Sequence, residues 1–184
     1  YALAVASYDN FIDIYDATRD YRRTTVCSGH TSHVMHLDWS SDSSTLQSND
    51  GSYEIVYWNA DTGRQIRSSV DTVEADTDWA SWTCVLGFPV MGIWPDHSGG
   101  SGINSVHRSH DREHIVTADD WGHVKLFNYP CVVDDAPFAV HPGHSAQVTS
   151  VRFMHGDTHV VSVGGNDRSV LQWRVRRARG RYNR

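Results

Sequence analysis

Long apolar runs are missing from this sequence. No stretch of its 184 residues reaches the roughly 18–20 continuous apolar residues that a membrane-spanning helix needs. The nearest approach, "WASWTCVLGFPVMGIWP" (79–95), is uncharged, but two prolines and two glycines interrupt it. Cysteine is scarce as well. Cys27, Cys84 and Cys131 lie far apart and no CxxC spacing occurs, which excludes a zinc knuckle and a disulfide framework. Buried, reduced thiols of a cytosolic protein are expected instead. Apolar residues at helical spacing are absent throughout, so helices are not the building unit. No basic-then-apolar start marks a targeting signal. The opening "YALAVASYDNFIDIYD" reads as the middle of a domain, and a fragment of a longer chain is expected.

What is present supports a packed core. The hydrophobic share of 39%, with 11% aromatic residues, argues against disorder, and the length fits one domain or part of one. Charge is unevenly spread. The tail "RVRRARGRYNR" (174–184) carries six arginines and no acid, which leaves 10 basic against 22 acidic residues elsewhere. An acidic body with a basic tail bears on partners rather than on fold.

Four segments share one form, an Asp-bearing turn, a short alternating run and an aromatic. They are "YDNFIDIYD" (8–16), "NDGSYEIVYWN" (49–59), "DDWGHVKLFNY" (119–129) and "NDRSVLQWRV" (166–175), with Tyr15, Trp58, Phe127 and Trp173 as the aromatics. The aromatics are separated by 43, 69 and 46 residues. That fits a period of about 40–45 with one insertion of about 25. Gly29-His30 and Gly143-His144 precede two of the turns, each followed by an alternating run, "VMHLDWS" (34–40) and "VTSVRFM" (148–154). Strands of five to seven residues between Gly, Asp, Asn and Ser turns define an all-β chain. The repeat predicts a WD40-type β-propeller arc of about four blades, the first one partial, cut from a larger tandem propeller. The units fall at about 1–16, 29–70, 79–130 with the insertion, and 143–175, with a basic, Arg-rich tail at 176–184. Unclosed sheets leave exposed edges, so the remainder of the propeller is an expected partner.

His144, Ser162, Asp167 and Trp173 in one unit, and His30, Ser48, Asp50 and Trp58 in another, invite a hydrolase reading. The same residues suit a structural hydrogen-bond chain better: Asp orients the imidazole, His reaches the hydroxyl, and Trp offers its indole N–H. A nucleophile would need to face a cleft with an oxyanion hole, which nothing in the sequence builds. The third unit has no Gly-His pair and carries Phe127 where the others carry Trp, so its chain is expected to be incomplete. Twelve histidines raise a metal site, but His30, His33 and His36 do not share a strand face at that spacing. His107, His110, His114 and His123 gather near a turn without cysteine, and loop histidines are the expectation. "SGGSG" (98–102) lacks the Lys-Ser/Thr of a phosphate loop and reads as a flexible link. No metal, cofactor or catalytic residue is expected.

The blocks "SYDNFIDIYD" (7–16), "SGHTSHVMHLDWS" (28–40), "LQSNDGSYEIVYWN" (46–59), "WASWTCVLGFPVMGIWP" (79–95) and "TADDWGHVKLFNYPC" (117–131), with the GHSAQVTSVRF and SVGGNDRSVLQWRV stretches, are longer than generic WD40 marks. They resemble the echinoderm microtubule-associated protein-like family from about residue 3 to 175. The resemblance implies the C-terminal part of the second of two fused, atypical propellers. It also implies a non-enzymatic scaffold that binds tubulin or microtubules in the cytoplasm and cytoskeleton, with mitotic and, in some members, ciliary or axonemal roles. Other cytoskeletal or axonemal proteins are implied as further partners, and neither nucleic acid nor membrane. The family's N-terminal trimerising segment and first propeller are not among these residues. The tail lies outside the resemblance. Arg174, Arg176, Arg177, Arg179, Arg181 and Arg184 are candidate contacts to an acidic partner such as tubulin, or form a solvated linker. A general WD40 adaptor without direct tubulin binding is the alternative function. For 79–95, two short strands near 79–86 and 90–94, turned by Gly87 and Pro89, are expected, with the Trp side chains packed rather than forming a ligand cage.

Overall fold

The computed structural model describes residues 1–67, 73, 77–94, 102–134 and 136–176. The chain divides into two compact units, Tyr1–Asp96 with Pro130–Ala136, and His97–Tyr129 with Pro137–Arg184. Each holds two antiparallel sheets.

In the first unit, β1 (Ala2–Ala6), β2 (Phe11–Asp16) and β3 (Arg22–Ser28) form one sheet, and β4 (Val34–Trp39), β5 (Thr45–Asp50) and β6 (Ile55–Asn59) form the other. Alternation puts Ile12 and Ile14 inward from β2, while Asp13 and Tyr15 point away from the core. These two isoleucines pack with Cys27, Val34, Leu46, Val56, Trp58 and Ala60 in a single apolar cluster. In the second unit, β7 (Ile103–Arg108), β8 (His114–Asp119), β9 (His123–Asn128) and β10 (Phe138–Pro142) build a four-stranded sheet. The fourth sheet is β11 (Val148–Phe153), β12 (His159–Gly164) and β13 (Val170–Arg174). Val116, Ala118, Val124, Val148, Val151, Phe153 and Val160 are the core there.

The repeat read from sequence is a repeat of backbone geometry. The ladders of β4–β5, β7–β8 and β11–β12 each shift register at the same place, between Val34 and His36, Ile103 and Ser105, and Val148 and Ser150. One residue is left out of the ladder at each point, which bends and twists the strand. The turns after β1, β5, β8 and β12 place Asn10, Tyr53, Gly122 and Arg168 in the left-handed region, a conformation that allows a tight connection between paired strands.

The segment 79–94 departs from the two expected strands. Trp79 makes one isolated bridge to Ser40, and no regular element follows until a 3-10 helix at Phe88–Ile93. Its backbone donors explain why. The N–H groups of Thr83 and Cys84 donate to the Asp38 carboxylate at 2.8–3.0 Å, and Leu86 N–H donates to Asn49 Oδ1 at 3.1 Å. Side chains of β4 and β5 therefore take the bonds that a strand partner would take. Pro89 at the helix start contributes no N–H and suits a first helical turn. Gly92 donates to Cys131 O at 2.8 Å, and a Cβ there would overlap the Val133 carbonyl. Ser81 Oγ also donates to Asp38, at 2.6 Å.

Trp79 and Trp82 meet edge to face at 6.3 Å, and Tyr57 lies 6.0 Å from Trp79. Trp82 is 1% exposed and donates its indole N–H to Cys84 O at 2.9 Å. With the rings of Trp79 and Trp82 buried, no open aromatic cage is formed among the described residues. Trp82→Ala is expected to cost about 3–5 kcal/mol through the cavity it leaves, read as a lowered denaturant midpoint at unchanged slope. A loss under about 1 kcal/mol would contradict this packing.

Candidate functional site

Two buried polar chains run across the sheets. In the second sheet, His30 Nδ1 lies 3.1 Å from Asp50 Oδ2, His30 Nε2 lies 2.6 Å from Ser48 Oγ, and Trp58 Nε1–H donates to Ser48 Oγ at 2.7 Å. The chemistry sets the direction. An ionised carboxylate only accepts, so Nδ1 carries the imidazole proton, Nε2 accepts from the serine hydroxyl, and the hydroxyl oxygen accepts from the indole. The fourth sheet repeats the arrangement. His144 Nδ1 lies 2.8 Å from Asp167 Oδ2, Nε2 lies 2.7 Å from Ser162 Oγ, and Trp173 Nε1–H donates to Ser162 Oγ at 2.8 Å. A Cβ at Gly164 would overlap Asp167 Oδ1, so the pair needs glycine at that point.

Both aspartates also tie down their own turns. Asp50 Oδ1 accepts from the N–H groups of Ser52 and Glu54, and Oδ2 accepts from Ser32 N–H. Burial raises the Asp50 pKa, but the Glu54 and Ser52 N–H groups and His30 outweigh it and hold the carboxyl below its ordinary value. For Asp167 burial again works upward. The N–H of Ser169, the His144 imidazole, the Ser169 hydroxyl and the Ser145 N–H hold the carboxyl down at about 2. Ser48 and Ser162 are each 0% exposed, so neither hydroxyl can meet a substrate.

The third sheet solves the same problem differently, a substitution that the sequence reading missed. Asp119 sits where Asp50 sits, its Oδ1 accepting from the N–H groups of Trp121 and His123 at 3.0 and 2.9 Å. No Gly-His imidazole reaches it. Instead Lys125 Nζ lies 3.0 Å and His123 Nδ1 3.3 Å from Oδ2. Burial raises the Asp119 pKa, while the His123 N–H and Lys125 lower it to a net value below the ordinary one. Lys125 is the one lysine in the sequence, and a cation on the strand after a turn aspartate was the available signal.

The histidines gather only in part. His33 stacks on Tyr8 at 4.4 Å. The His110 ring lies 6.0 Å from that of His107 and 6.2 Å from that of His155, but His107 Nδ1 accepts from Phe153 N–H and His110 Nδ1 lies 2.7 Å from Asp157. Among the described residues, His30, Asp50 and Glu54 bring ligand-type atoms within 4.8 Å of one another, yet both His30 nitrogens are already engaged. Asp111, Glu113 and His114 gather on one turn, where Asp111 Oδ1 accepts from Ser109 Oγ and Glu113 N–H. Arg174 ends β13 and Arg176 follows it, both exposed, while Arg177, Arg179, Arg181 and Arg184 lie outside the described residues.

Four small antiparallel sheets, three with a common register shift and two with an internal Asp–His–Ser–Trp chain, define a WD40-type β-propeller segment. The family described as "Echinoderm microtubule-associated protein second beta-propeller" matches residues 1–175. The chain is 49% identical over 176 residues to echinoderm microtubule-associated protein-like 1 of Mus musculus, covering 94% of this chain and 21% of that protein. It is 48% identical over 177 residues to echinoderm microtubule-associated protein-like 4 of Xenopus tropicalis, covering 94% and 19%. To echinoderm microtubule-associated protein-like 3 of Homo sapiens it is 47% identical over 182 residues, covering 97% and 20%. Among solved structures it resembles the computationally designed Ika8 protein, with a TM-score of 0.60 at 17% identity, covering 95% of this chain and 55% of that one, a likeness of fold. The chain belongs to the echinoderm microtubule-associated protein family, in its second β-propeller, and spans about one fifth of the length of these relatives.

The depressed aspartates set the direction of acid unfolding. A carboxyl held at about 2 against an ordinary 3.8 contributes stability that is complete above the ordinary value and is lost as pH falls towards the lower one. Asp50 acts in the same direction. Asp167→Asn should lower stability at pH 6 and flatten its decline between about pH 4 and pH 2, read from denaturant midpoints across that range. An unchanged slope would remove the carboxylate from this role. Ser162→Ala, which orphans a buried indole N–H and an imidazole nitrogen, should cost about 1–3 kcal/mol for each group left unpaired, measured by equilibrium unfolding.

Proposed function

We propose that this chain is part of a non-enzymatic, microtubule-associated propeller scaffold that contacts tubulin in the cytoplasmic cytoskeleton, axonemal microtubules included. The observation that carries the reading is the family match along residues 1–175, joined to near 50% identity with relatives named as microtubule-associated. The burial of Ser48 and Ser162 supports a scaffold over a hydrolase, because each hydroxyl is used inside a hydrogen-bond chain. The two polar chains and the Asp119–Lys125 pair hold the blades. They do not touch the partner.

The contact itself is assigned to exposed groups. Arg174 and Arg176 have no carboxylate partner among the described residues, and the tail that continues from them carries four more arginines in an otherwise acidic chain. Such a cluster attracts an acidic surface over roughly a Debye length, about 8–10 Å at physiological salt. A second reading, an adaptor that binds other proteins through its turns, is favoured by one observation. Tyr8, Tyr53 and Trp121, each on the turn between paired strands, are 84%, 61% and 69% exposed.

Co-sedimentation of the full-length protein with microtubules across a salt series separates these readings. Pelleting that declines steadily as salt rises is expected, and deletion of residues 174–184 should weaken it several-fold at low salt. Unchanged pelleting after the deletion removes the tail from the interface. A protein that stays in the supernatant at low salt leaves the adaptor reading.

A further inference from the structure

Two histidines meet on the seam between the two sheets of the second unit. The β7–β8 ladder ends on the Arg108–Ile115 pair and the β11–β12 ladder on the Phe153–Val160 pair. His110 and His155 each stand two residues beyond, at the same place in consecutive repeats, where the second sheet carries Ser41 after its Trp39–Leu46 pair. β7 and β11 lie side by side. Val151 N–H and Arg152 Nη1 donate to Ser105 Oγ, and Phe153 N–H donates to His107 Nδ1. That pairing brings the two turns together, and the His110 and His155 rings lie 6.2 Å apart, edge to face. Both residues are exposed.

Asp157 fixes the chemistry of one of them. Its Oδ1 lies 2.7 Å from His110 Nδ1, and its Oδ2 accepts from Asp111 N–H at 2.9 Å. An ionised carboxylate only accepts, so His110 holds its proton on Nδ1 and keeps a lone pair on Nε2. A carboxylate behind an imidazole in this way is the arrangement that orients metal-bound histidine. The His155 ring makes no hydrogen bond among the described residues and can turn towards its neighbour. His107, 6.0 Å from His110, is excluded as a ligand. Its Nδ1 accepts from Phe153 N–H, which leaves the proton on Nε2 and no lone pair to give.

Two imidazoles that share one tetrahedral ion, at about 2.0–2.1 Å from each nitrogen, have ring centres about 5 Å apart. The observed separation is about 1 Å greater, a gap that rotation of the exposed His155 side chain closes. The surroundings attract a cation, because residues 109–114 and 154–159 carry three acids and one arginine.

We propose that His110 and His155 chelate one divalent transition-metal ion of the zinc type, with water completing its coordination shell. Imidazole nitrogen suits zinc, nickel and copper, whereas magnesium and calcium require oxygen ligands. The ion joins the β7–β8 turn to the β11–β12 turn and so clips one sheet to the next. Asp157 is a positioning residue that acts through His110. This site stands whether or not the scaffold contacts tubulin.

The test is calorimetric titration of the full-length protein with zinc chloride. His110→Asn and His155→Asn should each remove one zinc equivalent. The double variant should remove the same one and no more, because a shared ion is lost once. Asp157→Asn should weaken that equivalent by about tenfold or more without abolishing it, the effect of removing a carboxylate that orients a ligand. Magnesium chloride at equal concentration should not displace the zinc. A full zinc count in either single variant overturns the proposal, and so does the loss of two equivalents in the double variant, which marks two independent histidines. Displacement by magnesium overturns it as well. Unchanged zinc affinity in Asp157→Asn overturns the positioning role. Both histidine side chains are exposed, so the counts do not depend on a core that fails to fold.

Discussion

One proton on one buried hydroxyl organises each complete polar chain. Ser48 and Ser162 each meet an imidazole nitrogen that accepts and an indole N–H that donates, and a hydroxyl serves both at once. The aspartate at the far end then fixes the tautomer and, through its second oxygen, the turn that carries it. Four residues from the Gly-His loop, the Asp turn and two neighbouring strands become one object with a single consistent direction of donation. In a low-dielectric interior such a chain is costly to leave half-made, so the Gly-His loop, the Asp turn and two strands are joined in one geometry. The contacts of the blade surface depend on that fixed frame.

The third sheet shows which part of the device is interchangeable. Asp119 keeps the turn in place with the same pair of backbone acceptances seen at Asp50, and its remaining charge is met by Lys125 and His123. The requirement is a partner for a buried carboxylate, and an imidazole is one way to supply it. Phe127 takes the place of the tryptophan and packs against Phe138 at 5.2 Å. The segment 79–94 extends the same logic to irregular backbone. Asp38 receives donors from Gln47, Ser81, Thr83 and Cys84, so an irregular stretch is held against β4 with the Thr83 and Cys84 amides satisfied.

The propeller repeat, the Asp–His–Ser–Trp sets and the family were legible in the sequence because they are local. Residues at period two, a turn every few strands and a recurring aromatic leave marks within a window of about 45 residues. The irregular path of 79–86 was not legible, because the Asp38 carboxylate that takes the Thr83 and Cys84 amides lies more than 40 positions earlier, nor was the 3-10 helix at Phe88–Ile93, whose Gly92 N–H goes to Cys131 O. The meeting of His110 and His155 was not legible either, because it depends on β7 and β11 lying side by side.

By itself the sequence determined the all-β class, the blade period and the identity of two polar chains, since each is a pattern of residue types at short separation. The tertiary structure decided which donors reach which acceptors: Lys125 on Asp119, the amides of 83 and 84 on Asp38, and His110 on Asp157. The physical reason is range. Alternation and turn propensity act between neighbours in the chain, whereas desolvation and charge pairing act between neighbours in space, and only the folded backbone says which residues those are.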